Sequence, residues 1–484
     1  MMLFLNEILV GFRKGFSREA TFKWFVVIVA GLLVRTDHLG VTSVIRGLCL
    51  SVDYVTMIGF FRSSAWTLDA LTERWCALVR DHAPLARMGD SFIIVGDGVK
   101  QSKEGRKMPG VKRLHQESED SSKGEYIWGH LFGGVGILAE TAKKSFCIPL
   151  AAQIQDGVKT IFAWCKEGEE KERQGSHVVE MIRLANKATT SFIKRILLLD
   201  RLFLTVPALR ELDKINAEGQ TMEIVTKAKS NCTAFELPGE KTGKRGRPRI
   251  KGKKLKLFDL FQSAAEQFDS AEVLLYGKLE QVRYLCIDLL WGKGLYKKLR
   301  FVLVKYGETL SALVSTDLAM MPIDIIQLYG RRFAIEPMFR EMKQVICAFG
   351  YRFWSKYMPK LNRYKKKTDP DPLEQVCATA QKRIKLALKA IEGFVFCAIV
   401  ATGLLQMISM RFSSTNELRQ TRYLRTRRNT IASEATVADF FQKNFYRLLL
   451  ASPALAITRI ISEKQYAKYE PECAPHAPEY KNIA

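Results

Sequence analysis

The sequence predicts an α/β fold: a mixed sheet flanked by helices, with a β-rich insertion and a helical N-terminal domain. Three observations carry this. Helical apolar patterns fill residues 1 to about 88, short β-rich runs with Asp-Gly breaks follow, and from about residue 177 helical and β-type segments alternate. With 484 residues, 47% of them apolar, the chain is long enough for several domains and a large core.

In the N-terminal part, "RTDHLGVTS" and "FRSSAWTLD" break the helical pattern, and Asp37 and Ser64 read as helix starts. A DNA-binding role and a purely structural helical cap are both open for this part. "SFIIVGDG" (91–98), "YIWGHLFGGVGIL" and "FCIPLAAQIQDG" read as a three-stranded meander. The helical "SHVVEMIRLANKATTSFIK" then leads into "RILLLDRLF", a buried-type strand that carries Asp200. "PALRELDKINA" and "MEIVTKAKS" complete the order β-β-β-α-β-α-β. "KTGKRGRPRIKGKKLK" (241–256) holds nine Lys/Arg and no acid, and "QVRYLCIDLLW" and "RFVLVKY" beyond it suggest an inserted sheet. "SALVSTDL" returns to strand, and "MPIDIIQLYGRRFAIEPMFREMKQVI" reads as one long amphipathic helix. Pro322 suits its first turn, whereas Pro337 inside it should kink it or displace a hydrogen bond next to Glu336. The expected domains are 1–88, a core of 89–230 with 311–410, an insertion of 231–310, and a helical region of 411–484 for DNA contact or oligomerisation.

Lys and Arg number 75 against 50 Asp and Glu, a formal charge of +25 that points to a polyanionic partner. The apolar runs 25–34 and 393–410 read as buried helices and not as membrane spans, the second because it holds Gln406 and two glycines. Neither a signal peptide nor a membrane role is expected. The ten cysteines show no CxxC pair and no Cys/His ligand spacing, which suggests ordinary thiols in a reducing, cytoplasmic compartment and no structural zinc. His130 reads as a strand residue with a local hydrogen bond.

The chemistry begins on the long helix. At about 100° per residue, Arg332, Glu336 and Lys343 fall at roughly −60°, −20° and −40° from Tyr329, a single narrow stripe. Leu328, Ile335, Phe339, Met342 and Ile346 form the adjoining arc, which should pack on a core and hold the stripe at its edge. Taken alone, the stripe is better explained as a surface salt-bridge face. Two more carboxylates change the weighing. Asp97 ends the first strand of the meander and Asp200 the fourth, and in this topology those strands can be neighbours. Asp97, Asp200 and Glu336 could then hold two Mg²⁺ ions for in-line attack on a phosphodiester, with Arg332, Lys343 and Tyr329 binding a phosphate.

Tyr329-x2-Arg332-x3-Glu336-x6-Lys343 resembles the Tyr-Arg-Glu-Lys signature of the large bacterial insertion-sequence group of DDE transposases, at that group's spacing. "GDGVK", "LLLDR" and "STDL" resemble the surroundings of its two aspartates and the approach to its glutamate. The resemblance covers roughly residues 91–350. It implies a ribonuclease-H-like core, catalysis by Asp97, Asp200 and Glu336 with two Mg²⁺ (Mn²⁺ as substitute), and cleavage at element ends followed by transfer of the 3′-hydroxyl to target DNA. The implied partners are double-stranded DNA, as terminal inverted repeats and target, and a second copy of the chain in a nucleoid-associated synaptic complex.

Some relatives form a hairpin with the help of an aromatic residue in the insertion; Trp291 is the candidate by type, and its position alone does not assign the role. Trp354 is a second candidate for base stacking, within a segment, 340–370, of nine basic residues interleaved with aromatics. "KRGRPR" resembles an AT-hook core, so Lys244, Arg245, Arg247 and Arg249 are candidate DNA contacts; a generic phosphate-binding loop fits them equally. A catalytically silent DNA-binding relative and a structure-specific nuclease on the same core are the alternatives.

Overall fold

A computed structural model describes residues 1–52, 54–116, 124–142, 144–164, 173, 175–239, 249–364, 368–413, 418 and 431–466. The N-terminal helices are α1 (Met2–Gly11), α2 (Glu19–Val34), α3 (Val41–Gly47), α4 (Tyr54–Arg62) and α5 (Leu68–His82). Two expected helix starts are corrected. Thr67, not Ser64, caps α5 by accepting from the Ala70 N–H, and the Asp37 carboxylate accepts from the Leu39 N–H in the turn before α3.

The β-rich runs become β1 (Arg87–Met88), β2 (Ser91–Ser102), β3 (Lys112–His115), β4 (Tyr126–Thr141) and β5 (Lys144–Ile154). After the short α6 (Lys159–Ala163), the alternating part gives α7 (His177–Ala188), β6 (Lys194–Leu198), α8 (Val206–Ala217) and β7 (Thr221–Lys227). The order β5-β4-β2-β6-β7 runs through the centre of the sheet. β4 is antiparallel to both β2 and β5, while β2, β6 and β7 are mutually parallel, so β2, which carries Asp97, and β6, which Asp200 follows, are neighbours.

The insertion contributes β8 (Thr233–Phe235), β9 (Lys254–Lys256), α9 (Leu260–Ser263), β10 (Asp269–Leu275), β11 (Lys278–Trp291) and β12 (Lys297–Tyr306), and β13 (Thr309–Ser315) follows. These strands do not make a separate sheet. β13 pairs antiparallel with β7, β12 with β13 and β11 with β12, so one mixed sheet of thirteen strands forms among the described residues. The reason is long-range backbone pairing along the free edge of β7, to which local periodicity is blind. The added strands keep their own core around Leu289, Leu299, Phe301 and Val314.

The long helix predicted over 322–346 is also corrected. It is two helices, α10 (Pro322–Arg331) and α11 (Ile335–Gln344), joined by a 3-10 turn at Arg332–Ala334. Pro337 explains the break. In a continuous helix its ring would press on the Phe333 carbonyl; as third residue of a new helix it stands where the N–H has no intrahelical partner. Pro322 opens α10 as expected.

The chain ends in α12 (Ala378–Phe412), α13 (Glu434–Leu450) and α14 (Ala456–Tyr466). α12 packs on β5 and on α2, α4, α5 and α13. It is the one helix among the described residues long and apolar enough to cross a membrane, and its most apolar window is 94% buried within the protein. Its two glycines have a packing reason: a Cβ on Gly393 would stand 2.6 Å from the Trp66 ring, and one on Gly403 2.4 Å from Trp75. Gln406 donates to Glu434 of α13, and Arg173 forks onto the buried Glu392 carboxylate. The eight described cysteines are free thiols.

Candidate active site

The expectation that Asp97 ends this strand is corrected: Asp97 lies inside β2 with a glycine on either side, because pairing with β4 carries β2 on to Ser102. The parallel register pairs Ile94 with Leu197 and Val95 with Leu198. Carried two residues on, it sets Asp97 beside Asp200, on strands roughly 4.8 Å apart and with both side chains on one face of the sheet. Asp200 follows the end of β6 in extended backbone, and its carbonyl is fixed by the Thr226 hydroxyl at 2.9 Å and the Phe203 N–H at 3.0 Å.

The third carboxylate arrives from above. On the other side of β2, Asp97 pairs with Gly134 of β4. A Cβ on Gly134 would stand 2.7 Å from the Phe339 ring, and one on Gly136 3.0 Å from Met338 Sδ. Bare backbone at these two positions lets α11 lie directly on the face from which Asp97 projects. Gly96, which faces the other way, lies against Met181 of α7, so α7 covers the opposite face. The far end of α11 is held by the buried guanidinium of Arg35, which donates to the Ile346 and Cys347 carbonyls. The whole predicted apolar arc, Leu328, Ile335, Phe339, Met342 and Ile346, is buried.

The stripe survives the break in its helix. Arg332 joins two of the carboxylates: Nη1 donates to Asp97 Oδ2 at 3.2 Å and Nη2 to Glu336 Oε1 at 3.2 Å. The half-buried Tyr329 phenol neighbours Arg332, whose charge opposes the effect of burial on its pKa. Lys343, at the other end of α11, donates to the Lys100 carbonyl of β2 at 3.4 Å. Phe333, in the 3-10 turn beside Arg332, is 52% exposed. Sequence reasoning missed it because an unbroken helix does not single it out.

The electrostatics follow from burial and crowding. Burial raises the Asp97 pKa; Arg332 and the Gly98 N–H oppose this, and the Asp200 and Glu336 carboxylates reinforce it. Burial disfavours charge on Arg332, but Asp97, Tyr329, Asp200 and Glu336 outweigh it, and its pKa rises. The Tyr329 phenol is pushed up to about 12, mainly by burial, so it stays a proton donor at neutral pH. Burial lowers the Lys343 and Lys227 pKa values, and for Lys227 the neighbouring Arg201 adds to the effect.

Among the described residues no three Asp, Glu, His or Cys side chains form a ready metal-ligating group. In the fold described, the Arg332 guanidinium bridges Asp97 and Glu336.

The other predicted positions are spread more widely. Lys244, Arg245 and Arg247 lie outside the described residues; Arg249 is exposed. Trp291 ends β11 and donates its indole N–H to Cys232 Sγ at 3.3 Å. It lines a cavity of about 600 Å³ with Phe235, Tyr296, Lys229, Lys251 and Arg201, the residue after Asp200. Trp354 is 59% exposed on the other flank of the site. His130 is buried as a structural residue, its Nε2–H donating to the Pro109 carbonyl at 2.8 Å while Nδ1 accepts from the Tyr351 hydroxyl at 2.6 Å. No protein-family model matches the chain, and no curated protein matches it significantly.

Proposed function

We propose that the chain is a DNA transposase of the DDE type, which cleaves at element ends and joins the freed 3′-hydroxyl to target DNA. One observation carries the reading: Asp97 and Asp200 share one face by strand register, and α11 brings Glu336 to the same Arg332 that holds Asp97. The strand order β5-β4-β2-β6-β7, with its antiparallel and parallel halves, supports a ribonuclease-H-like core. The charge of +25 supports a DNA partner. In this reading residues 1–88 and 411–484 serve end binding and assembly of two copies.

The donor set fits a hard divalent cation. Asp97, Asp200 and Glu336 offer only carboxylate oxygens, and the raised pKa of Asp97 marks a buried site crowded with like charge. These three residues would hold the metal. Mg²⁺ there supplies Lewis-acid activation of the scissile phosphate and of the attacking water or 3′-hydroxyl. The chain's own groups do the rest. Arg332 stays cationic and carries two donors into the site, Tyr329 offers a phenolic proton, and Phe333 gives the lip an apolar face against which DNA can pack. The Trp291 cavity, with its cations, suits a phosphate beside a stacked base.

A second reading, DNA binding without cleavage, is favoured by the same guanidinium. Arg332 already neutralises Asp97 and Glu336, and a protein that keeps this bridge on DNA would not cut. A strand-transfer assay separates the readings. The purified chain is given Mg²⁺, target DNA and duplexes carrying the inverted repeats that flank its gene. Cleaved and joined products support transposition, cleavage without joining indicates a nuclease, and binding alone indicates the silent relative.

A further inference from the structure

A second basic cleft, of about 950 Å³, lies where the chain leaves the far end of β2 and meets the segment that follows α11. The two segments are stitched together. The Ser355 N–H donates to the Lys107 carbonyl at 3.1 Å, the Leu361 N–H to the Arg106 carbonyl at 2.8 Å, and the Arg363 guanidinium to the Glu104 carbonyl at 3.2 Å. Lys103 donates to the Phe349 and Tyr351 carbonyls and sits 3.8 Å from the Tyr351 ring centre.

Over this floor residues 351–356 alternate. Tyr351, Phe353 and Ser355 are buried, while Arg352, Trp354 and Lys356 are exposed. This alternation brings a cation, an indole and a second cation to the exposed side of the segment. Among the described residues the side chains of Arg106, Arg352 and Lys360 in this cleft make no hydrogen bond or ion pair.

The cleft lies beyond the carboxylate site along β2. Along β2, Arg332 meets Asp97, Lys343 meets Lys100, and Lys103 follows just past Ser102, roughly 16 Å of strand from Asp97 to Ser102. A line of cations leading from three carboxylates to an exposed indole is what a nucleic-acid strand leaving the site would follow. An indole standing clear between cations gains a stacking partner only when the base is unpaired, because a duplex hides its base faces.

We propose that this cleft binds an unpaired stretch of the DNA strand running out of the carboxylate site, with Arg106, Arg352 and Lys360 on its phosphates and Trp354 stacked on one of its bases. The proposal rests on the DNA-processing reading above. It is tested in EDTA, where no cleavage is needed, by binding the full chain to a blunt duplex and to the same duplex with an unpaired flank carrying 2-aminopurine at successive positions.

For the wild type, the flank should tighten binding and one position should be quenched. Trp354→Ala should abolish that quenching and weaken flanked DNA about tenfold, as the loss of one stacked base does, with blunt-duplex affinity unchanged. Trp354→Phe should keep most of both effects, and Arg352→Glu should weaken flanked DNA with little change in quenching. A bright probe at every position, or equal losses on blunt and flanked DNA, would overturn the proposal. Quenching by a protein that never cleaves would leave the cleft standing and remove the transposase reading; cleavage and joining with no quenching would do the reverse.

Discussion

Replacing Arg332 by alanine tests the architecture of the site without reference to DNA. The Arg332 side chain is 14% exposed and that of Asp97 27%, and they meet at 3.2 Å. At an effective dielectric near 20, a contact of this kind has a Coulomb term of about 4 kcal/mol; relief of the arginine's own desolvation offsets part of it, leaving a loss of about 2–3 kcal/mol. The Arg332–Glu336 contact, with Glu336 half in solvent, adds little.

The loss must depend on pH. Asp97 in the folded protein already has its pKa above the ordinary value of 3.8, so folded chains hold a proton that unfolded chains release, and stability falls as pH rises between those two values. Removing Arg332 raises the folded value further and widens that window upward. Urea unfolding should therefore show the variant about 2–3 kcal/mol less stable near pH 8, with a smaller penalty near pH 4, because acid protonates Asp97 and removes the ion pair. Arg340→Ala, which breaks an exposed contact with Glu341, is the control and should cost under about 1 kcal/mol at both pH values. An Arg332→Ala penalty that is the same at both pH values would show that Arg332 is not held by an ionised Asp97.

Two further predictions address how the site is held. Gly134→Val should push Phe339 off the sheet, cost about 1–3 kcal/mol by overpacking, and reduce cleavage far more than DNA affinity, as gel-shift and cleavage assays on one preparation would show. Burial holds the His130 ring down to about 3, against the pull of the Pro109 carbonyl, so only the unfolded chain takes up its proton as pH falls below 6.5. Stability is thus lost on acidification from about 6.5 towards 3, and His130→Gln should flatten that part of the pH–stability curve while lowering stability at pH 8.

Much of this site was legible in the sequence because its parts are local. The period of the apolar arc named five residues that are all buried, and the order of segments named the two neighbouring strands, although β2 runs on past Asp97 and β6 stops short of Asp200. What escaped depends on contacts between distant residues or on departures from ideal geometry. Pro337 announced a disturbance, but only the backbone shows it resolved as a 3-10 turn that exposes Phe333. The run "FGGVG" reads only as part of a strand, yet two of its glycines, Gly134 and Gly136, leave room for Phe339 and Met338 from two hundred residues away. Arg35, at the end of an N-terminal helix, gives no local sign that it holds the end of α11. The merging of the inserted strands with the central sheet is likewise a matter of pairing and leaves no mark on periodicity.

In the proposed function, Asp97, Asp200 and Glu336 act as one metal-dependent set. Its most direct test is Mg²⁺-dependent cleavage of flanking-repeat DNA by Asp97→Asn, Asp200→Asn and Glu336→Gln, each side by side with wild type and each checked for DNA binding. Wild type should cut, and every variant should bind DNA but not cut. Cleavage at the wild-type rate by any one of the three would contradict it.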